Sequence, residues 1–132
     1  MNKTLVNKSI TFKAIGHVEN SFNAPAPPDE IRAVESRVII DAALTEGLTG
    51  LEPGQKVMVI FHFDRAQGFE LQQHPRGNKD RPKRGVFALC SPYRPNRIGV
   101  TVVDLIAIKD NVLRVRGLDA INNTPVLDLK PA

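Results

Sequence analysis

The chain has 132 residues, with 18 Lys and Arg against 14 Asp and Glu and a single cysteine. That length predicts one domain over residues 1–132 with a modest core, and one cysteine excludes an internal disulfide, as suits a reducing cytosol. No apolar run approaches the roughly 18 residues of a membrane helix and the start carries no secretory pattern, so a cytoplasmic domain is expected.

In chain order, alternating or β-branched runs predict strands at Ile10–Ile15, Val34–Ile40, Lys56–Phe63, Val86–Cys90, Val100–Ile108, Val112–Val115 and Pro125–Leu129. Asn20–Asp29 holds Pro25, Pro27 and Pro28 and reads as an extended, stiff loop. Asp41–Thr49 is the best place for a short helix, limited by Gly47 and Gly50. Lys56–Phe63 is apolar nearly throughout, which predicts a central strand buried on both faces. Residues 64–84 lack any period and hold much of the charge, the mark of a long mobile loop. Lys109-Asp110-Asn111 joins two strand-like runs at hairpin length. Short strands, frequent turns and little helix together predict an all-β fold whose sheet curls or closes.

Charge is uneven. His74–Arg97 carries Arg76, Lys79, Arg81, Lys83, Arg84, Arg94 and Arg97 against Asp80, a net of +6 in a chain whose total is +4. Basic residues gathered in one stretch of a near-neutral body suit a polyanion, although a solvated loop kept soluble by its charge has the same composition.

Familiar catalytic patterns are missing. There is no G-x-G-x-x-G after a strand and no phosphate-binding G-x-x-x-x-G-K-S/T. His17, His62 and His74 are scattered, without metal-ligand spacing, so no metal is expected. Cys90 and His62 could form a nucleophilic pair, but a lone cysteine ending an apolar run is more simply a small core residue.

Two stretches carry more information. In Arg84–Val100, RGVFALCSPYRPNRIGV, Pro92 and Pro95 bracket Tyr93 and Arg94, so a stiff loop presents Ser91, Tyr93, Arg94 and Asn96 with little entropy left to lose on binding. In Arg116–Pro131, RGLDAINNTPVLDLKP, Gly117 permits a bend or a close backbone approach. Asp119 and Asp128 lie among apolar residues, where each needs a partner or a polar ligand, and Lys130 is the nearest candidate for Asp128.

These stretches resemble the paired motifs of the TrmO (YaeB/TsaA-like) family, roughly G-V-F-A-T-R-S-P-x-R-P-N-P-I-G and G-L-D-x-x-D-G-T-P-V-L-D-I-K-P-Y, here Gly85–Gly99 and Gly117–Pro131. Ala14-Ile15-Gly16 and Val59-Ile60-Phe61-His62 are similar to two earlier family strands. The resemblance implies a single-sheet closed β-barrel that binds S-adenosylmethionine, usually as a homodimer. It also implies N6-methylation of threonylcarbamoyladenosine 3′ of the anticodon in tRNA. Matched residue by residue, it assigns the cofactor to His62, Phe63, Cys90, Val100, Arg116, Gly117, Leu118 and Asp119, with a loose match for the Pro25–Asp29 loop. For the implied chemistry, residue type and charge point to Arg94, Asn96, Asp128 and Lys130 for catalysis, with Asp128 or Asp119 to take the N6 proton, and to Arg76, Lys79, Arg81, Lys83, Arg84 and Tyr93 for the tRNA grip. The family's T-R is Leu89-Cys90 here, its proline before I-G is Arg97, its D-G is Asn122-Asn123, and its closing tyrosine is Ala132. Better-known bacterial members extend past the closing motif. A methyltransferase for a small acceptor and a non-catalytic S-adenosylmethionine- or RNA-binding module are the competing readings.

Overall fold

The computed structural model describes residues 8–132; the start of the chain, read above for targeting, lies outside them. Eight strands form, all paired antiparallel: β1 Gly16–Glu19, β2 Glu35–Ile40, β3 Lys56–His62, β4 Gln72–Gln73, β5 Arg84–Gly85, β6 Ile98–Lys109, β7 Val112–Arg116 and β8 Pro125–Pro131. Six of them close into one barrel in the order β1-β2-β7-β6-β3-β8, and β4 and β5 form a separate two-stranded sheet. The all-β closed barrel expected from the sequence is the fold observed.

Period-2 alternation explains the barrel wall. On β6, Gly99, Thr101, Val103 and Leu105 point inward while Ile98, Val100, Val102 and Asp104 point outward. Val57, Val59 and Phe61 of β3 meet Val18, Val38, Leu113, Val115 and Val126 in the core. β3 is central, between β6 and β8, but its outer residues Met58, Ile60 and His62 are half-buried. In a closed barrel one face of every strand looks outward, so the expectation of burial on both faces does not hold. The β6–β7 hairpin turns on Asp110 and Asn111, with Asp110 at φ 54, and is one residue tighter than the sequence suggests.

Two other expectations are corrected. Residues 10–15 form no strand, and Ile10 and Phe12 are exposed; only Ile15 continues the ladder, donating to Val126 O at 2.8 Å. Ladder pairing begins at Gly16, opposite Ile40 of β2 and Val126 of β8, and residues 10–14 pair with neither strand. Val86–Cys90 is a 3₁₀ turn over Val86–Ala88, because β4 offers two residues of pairing and the chain then folds Val86 inward. The short helix expected within Asp41–Thr49 forms as a 3₁₀ helix, Ala42–Leu48, with the Asp41 carboxylate accepting from Ala43 N at 3.0 Å. The stiff Asn20–Asp29 segment runs into a short α1, Pro28–Arg32, with Pro28 in the first turn beside Asp29 and Glu30. No helix among the described residues is long and apolar enough to cross a membrane.

Candidate functional site

The antiparallel barrel brings the C-terminal ends of β3 and β7 and the N-terminal ends of β2, β6 and β8 to one end. His62 pairs with Ile98, Phe61 with Val126, and Glu35 with Arg116. Most of the cofactor residues expected from the sequence fall into two groups here, His62, Phe63 and Val100 on the β3–β6 pair and Arg116–Asp119 where β7 ends. Arg116 pairs with Asp104, six residues along β6 from Ile98. His62 and Val100 lie on the outer face of the β3–β6 pair, where Val100 is 53% exposed. Phe63 packs edge-on against Phe61 with ring centroids 5.1 Å apart, and its N–H donates to Arg97 O at 2.9 Å. Gly99 makes that packing possible: a Cβ there would meet the Phe61 ring at 2.6 Å and the Phe63 ring at 2.7 Å.

On the opposite side of this end, Gly117 turns the chain out of β7 at φ +97, and Leu118 then plugs the core. Asp119 pairs with Arg32 of α1 at 3.5 Å, tying the helix to this bend; both groups are partly exposed, so the pair positions the helix more than it stabilises the fold. Arg116 reaches Glu35 at 3.6 Å, a carboxylate that already holds Arg114 at 2.9 Å.

The neighbouring loops are wired together by two asparagines that sequence reasoning passed over. Asn20 Nδ2 donates to Ser36 Oγ at 3.0 Å and to Ala120 O at 2.8 Å, and its backbone N–H donates to Asn122 Oδ1 at 3.1 Å. Arg65 Nη2 then donates to Asn122 O at 2.6 Å. The two from Asn20 to Ala120 and Asn122 link residues about a hundred positions apart, and no local pattern announces them.

The basic segment enters and leaves the barrel at this same end, since it connects β3 to β6. It is a folded lobe. Gln72 and Gln73 pair with Gly85 and Arg84, His74 Nδ1–H donates to Arg81 O at 2.7 Å, and Arg76 holds a left-handed turn at φ 52. Arg76, Lys79, Arg81, Lys83 and Arg84 are all exposed. In the stiff loop, Arg94 bends back and donates to Leu89 O at 2.9 Å and Ser91 O at 3.2 Å. Tyr93 and Asn96 are exposed, and Asn96 O accepts from Ile98 N as β6 begins. Cys90 is exposed, not the small core residue its apolar run suggested, because the chain turns at Val86–Ala88 instead of continuing as a strand.

Asp128 and Lys130 lie elsewhere. They pair with each other at 3.4 Å on β8, opposite Ile60 and Met58, and border a cleft of about 540 Å³ at the other end of the barrel, beside Leu44, Leu48 and Gln55. This cleft lies away from His62, Phe63, Val100 and Arg116–Asp119, which sit on strand ends and loops at the opposite end of the barrel. Among the described residues no three His, Cys, Asp or Glu side chains converge as a metal site would require.

Arg97 is the exception to an otherwise satisfied polar inventory: among the described residues, its Nε is the only buried side-chain nitrogen or oxygen without a hydrogen-bond partner. It borders Phe63 and the stiff loop, where a bound carboxylate would satisfy it.

Residues 16–132 match the model of the tRNA-methyltransferase O N-terminal domain. The chain belongs to this family. It is 35% identical over 126 residues to a probable S-adenosyl-L-methionine-binding protein of Pyrococcus abyssi, covering 92% of this chain and 67% of that one. It is 34% identical over 134 residues to a tRNA (adenine(37)-N6)-methyltransferase of Rattus norvegicus, covering 93% of this chain and 31% of the rat protein. The crystal structure of TrmO from Pseudomonas aeruginosa superposes with a TM-score of 0.71 at 29% identity, over 95% of this chain and 56% of that one. The chain spans only about half of the solved family structure and a third of the rat enzyme, so the family relation covers the barrel.

Proposed function

We propose that this barrel is an S-adenosylmethionine-dependent methyltransferase acting on N6 of a modified adenosine, threonylcarbamoyladenosine, 3′ of the anticodon in tRNA. The observation that carries the reading is the meeting, at one barrel end, of the family's cofactor motifs with a lobe of five exposed basic residues. Relatives named for S-adenosyl-L-methionine binding and for tRNA adenine methylation support it.

The residues present fit the cofactor. Arg97 Nε offers an unused donor to a carboxylate, and Gly117 leaves backbone open to a ligand, the nearest atom to a Cβ there being Val102 O at 3.9 Å. His62, Phe63, Cys90, Val100 and Arg116–Asp119 are the residues that would hold it. When bound, S-adenosylmethionine supplies an electrophilic methyl group. The chain then has to align the acceptor nitrogen with that methyl and exclude water, which needs no strong base or metal. Arg94 acts through the loop: by holding the Leu89 and Ser91 carbonyls it sets the position of Tyr93 and Asn96. Asp119, paired with Arg32 at 3.5 Å, would receive the proton released from N6. The Asp128–Lys130 pair is given no step.

A second copy of the chain completes the reading. Ile98, Val100 and Val102 leave an apolar stripe, 40–53% exposed, on the outer wall beside Met58 and Ile60, and a homodimer would cover it. The test of the function is methyl incorporation from labelled cofactor into total tRNA and into a metabolite extract. Label in the adenosine 3′ of the anticodon supports the proposal; label in a small molecule, or in neither, overturns it.

A further inference from the structure

The lobe between β3 and β6 exposes more than charge. Phe87 is 78% exposed, and Leu71, Phe69 and Tyr93 are 61%, 54% and 52% exposed. The local backbone dictates this. The 3₁₀ turn at Val86–Ala88 sends Val86 into the interior, 1% exposed, and leaves its neighbour Phe87 outside. The β4–β5 pairing sets Leu71 beside this turn through Val86 N to Leu71 O at 2.8 Å, and Gln73 Nε2 donates to Tyr93 O at 2.6 Å. Three aromatic rings and a leucine thus belong to one small lobe, together with Arg81, Lys83 and Arg84.

We infer that this lobe is a stacking platform for unpaired nucleobases, with Phe87 as its principal ring and Phe69 and Tyr93 beside it. The inference rests on the tRNA reading and deepens it, naming the single-stranded loop as the element gripped. An exposed phenylalanine in water has no advantage by itself, but every base offers a π-face to stack on it. The surrounding charge chooses between occupants. A net +6 over His74–Arg97 favours a phosphate chain, whereas an apolar protein partner would have to strip water from several cations. Glu70, between Phe69 and Leu71, disfavours phosphate immediately beside those two, whereas Asp80 of the β4–β5 hairpin is outnumbered by Lys79, Arg81, Lys83 and Arg84. That points the backbone toward Arg81–Arg84 and the bases toward Phe87.

The experiment measures binding of a fluorescent anticodon stem-loop RNA and of an unbroken RNA duplex with equal phosphate count, without cofactor. Phe87→Ala should weaken stem-loop binding about tenfold, leave the duplex and the salt dependence unchanged, and be rescued by Phe87→Tyr. The chain has no tryptophan, so Phe87→Trp supplies a lone reporter, and its emission should be quenched by the stem-loop and not by the duplex. Wild-type affinity in Phe87→Ala, while Arg81→Ala/Lys83→Ala/Arg84→Ala loses it, overturns the platform and leaves the tRNA reading standing. Failure of the wild type to bind either RNA overturns both. A smaller sedimenting species for Phe87→Ala with unchanged RNA binding assigns the face to a second copy and overturns the platform.

Discussion

Gly99 and Arg94 show how single residues shape this site. At Gly99 the missing Cβ is the space into which Phe61 and Phe63 pack, so Gly99→Ala must push one ring away or move β6. Overpacking of this kind costs about 1–3 kcal/mol, and urea denaturation should show a lower midpoint with an unchanged slope. Arg94 is a loop-holding residue, and its role was only half legible in the sequence. Prolines on both sides announced a stiff loop, but nothing local said that the guanidinium turns inward to the Leu89 and Ser91 carbonyls. On the proposed function, Arg94→Ala should therefore lower kcat for tRNA methylation by more than it weakens cofactor binding, because it misplaces the loop proposed to face the acceptor. Steady-state kinetics beside calorimetry with S-adenosylhomocysteine decides this; equal losses in both would make Arg94 part of the cofactor pocket.

At the scale of elements, the lobe of residues 64–97 is built differently from the barrel. The barrel strands satisfy one another over long registers, seven pairs between β3 and β6, whereas the lobe has two pairs and a set of side chain–backbone contacts. Its aperiodic sequence hid that construction, since two-residue strands leave no alternation to detect. α1 was missed for a related reason. Five residues are too few for a period, although Pro28 followed by Asp29 and Glu30 is a helix-start signal. Because Arg81, Lys83 and Arg84 project from this lobe, replacing all three by alanine should weaken tRNA binding. The log–log salt slope should fall by roughly 0.7 to 0.9 for each lost phosphate contact. Cofactor affinity should stay near that of the wild type. An unchanged salt slope would remove the lobe from the tRNA interface.

Across the whole molecule, closure of the barrel is uneven. β3 is held along its length on both sides, while β1 and β8 meet over two pairs, Gly16 with Val126 and His17 with Pro125. Hydrogen exchange should be fastest along the β1–β8 seam and slowest on β3 and β6, because few buried ladder bonds oppose local opening there. Uniform protection of all six strands would contradict that. From the sequence alone, alternation and turn residues determined the strands β2, β3, β6, β7 and β8, and hence an all-β chain, because side-chain period and turn chemistry are local properties. Motif similarity extended that to a closed barrel and to the family. Tertiary structure decided the rest. Whether an alternating run becomes a strand depends on a partner, which residues 10–14 lack and Gly16–Glu19 have. Whether Asp128 and Asp119 share a site depends on strand direction, which carries them to different parts of the barrel. Pairing between segments a hundred residues apart is a property of the closed sheet, and no window of the sequence contains it.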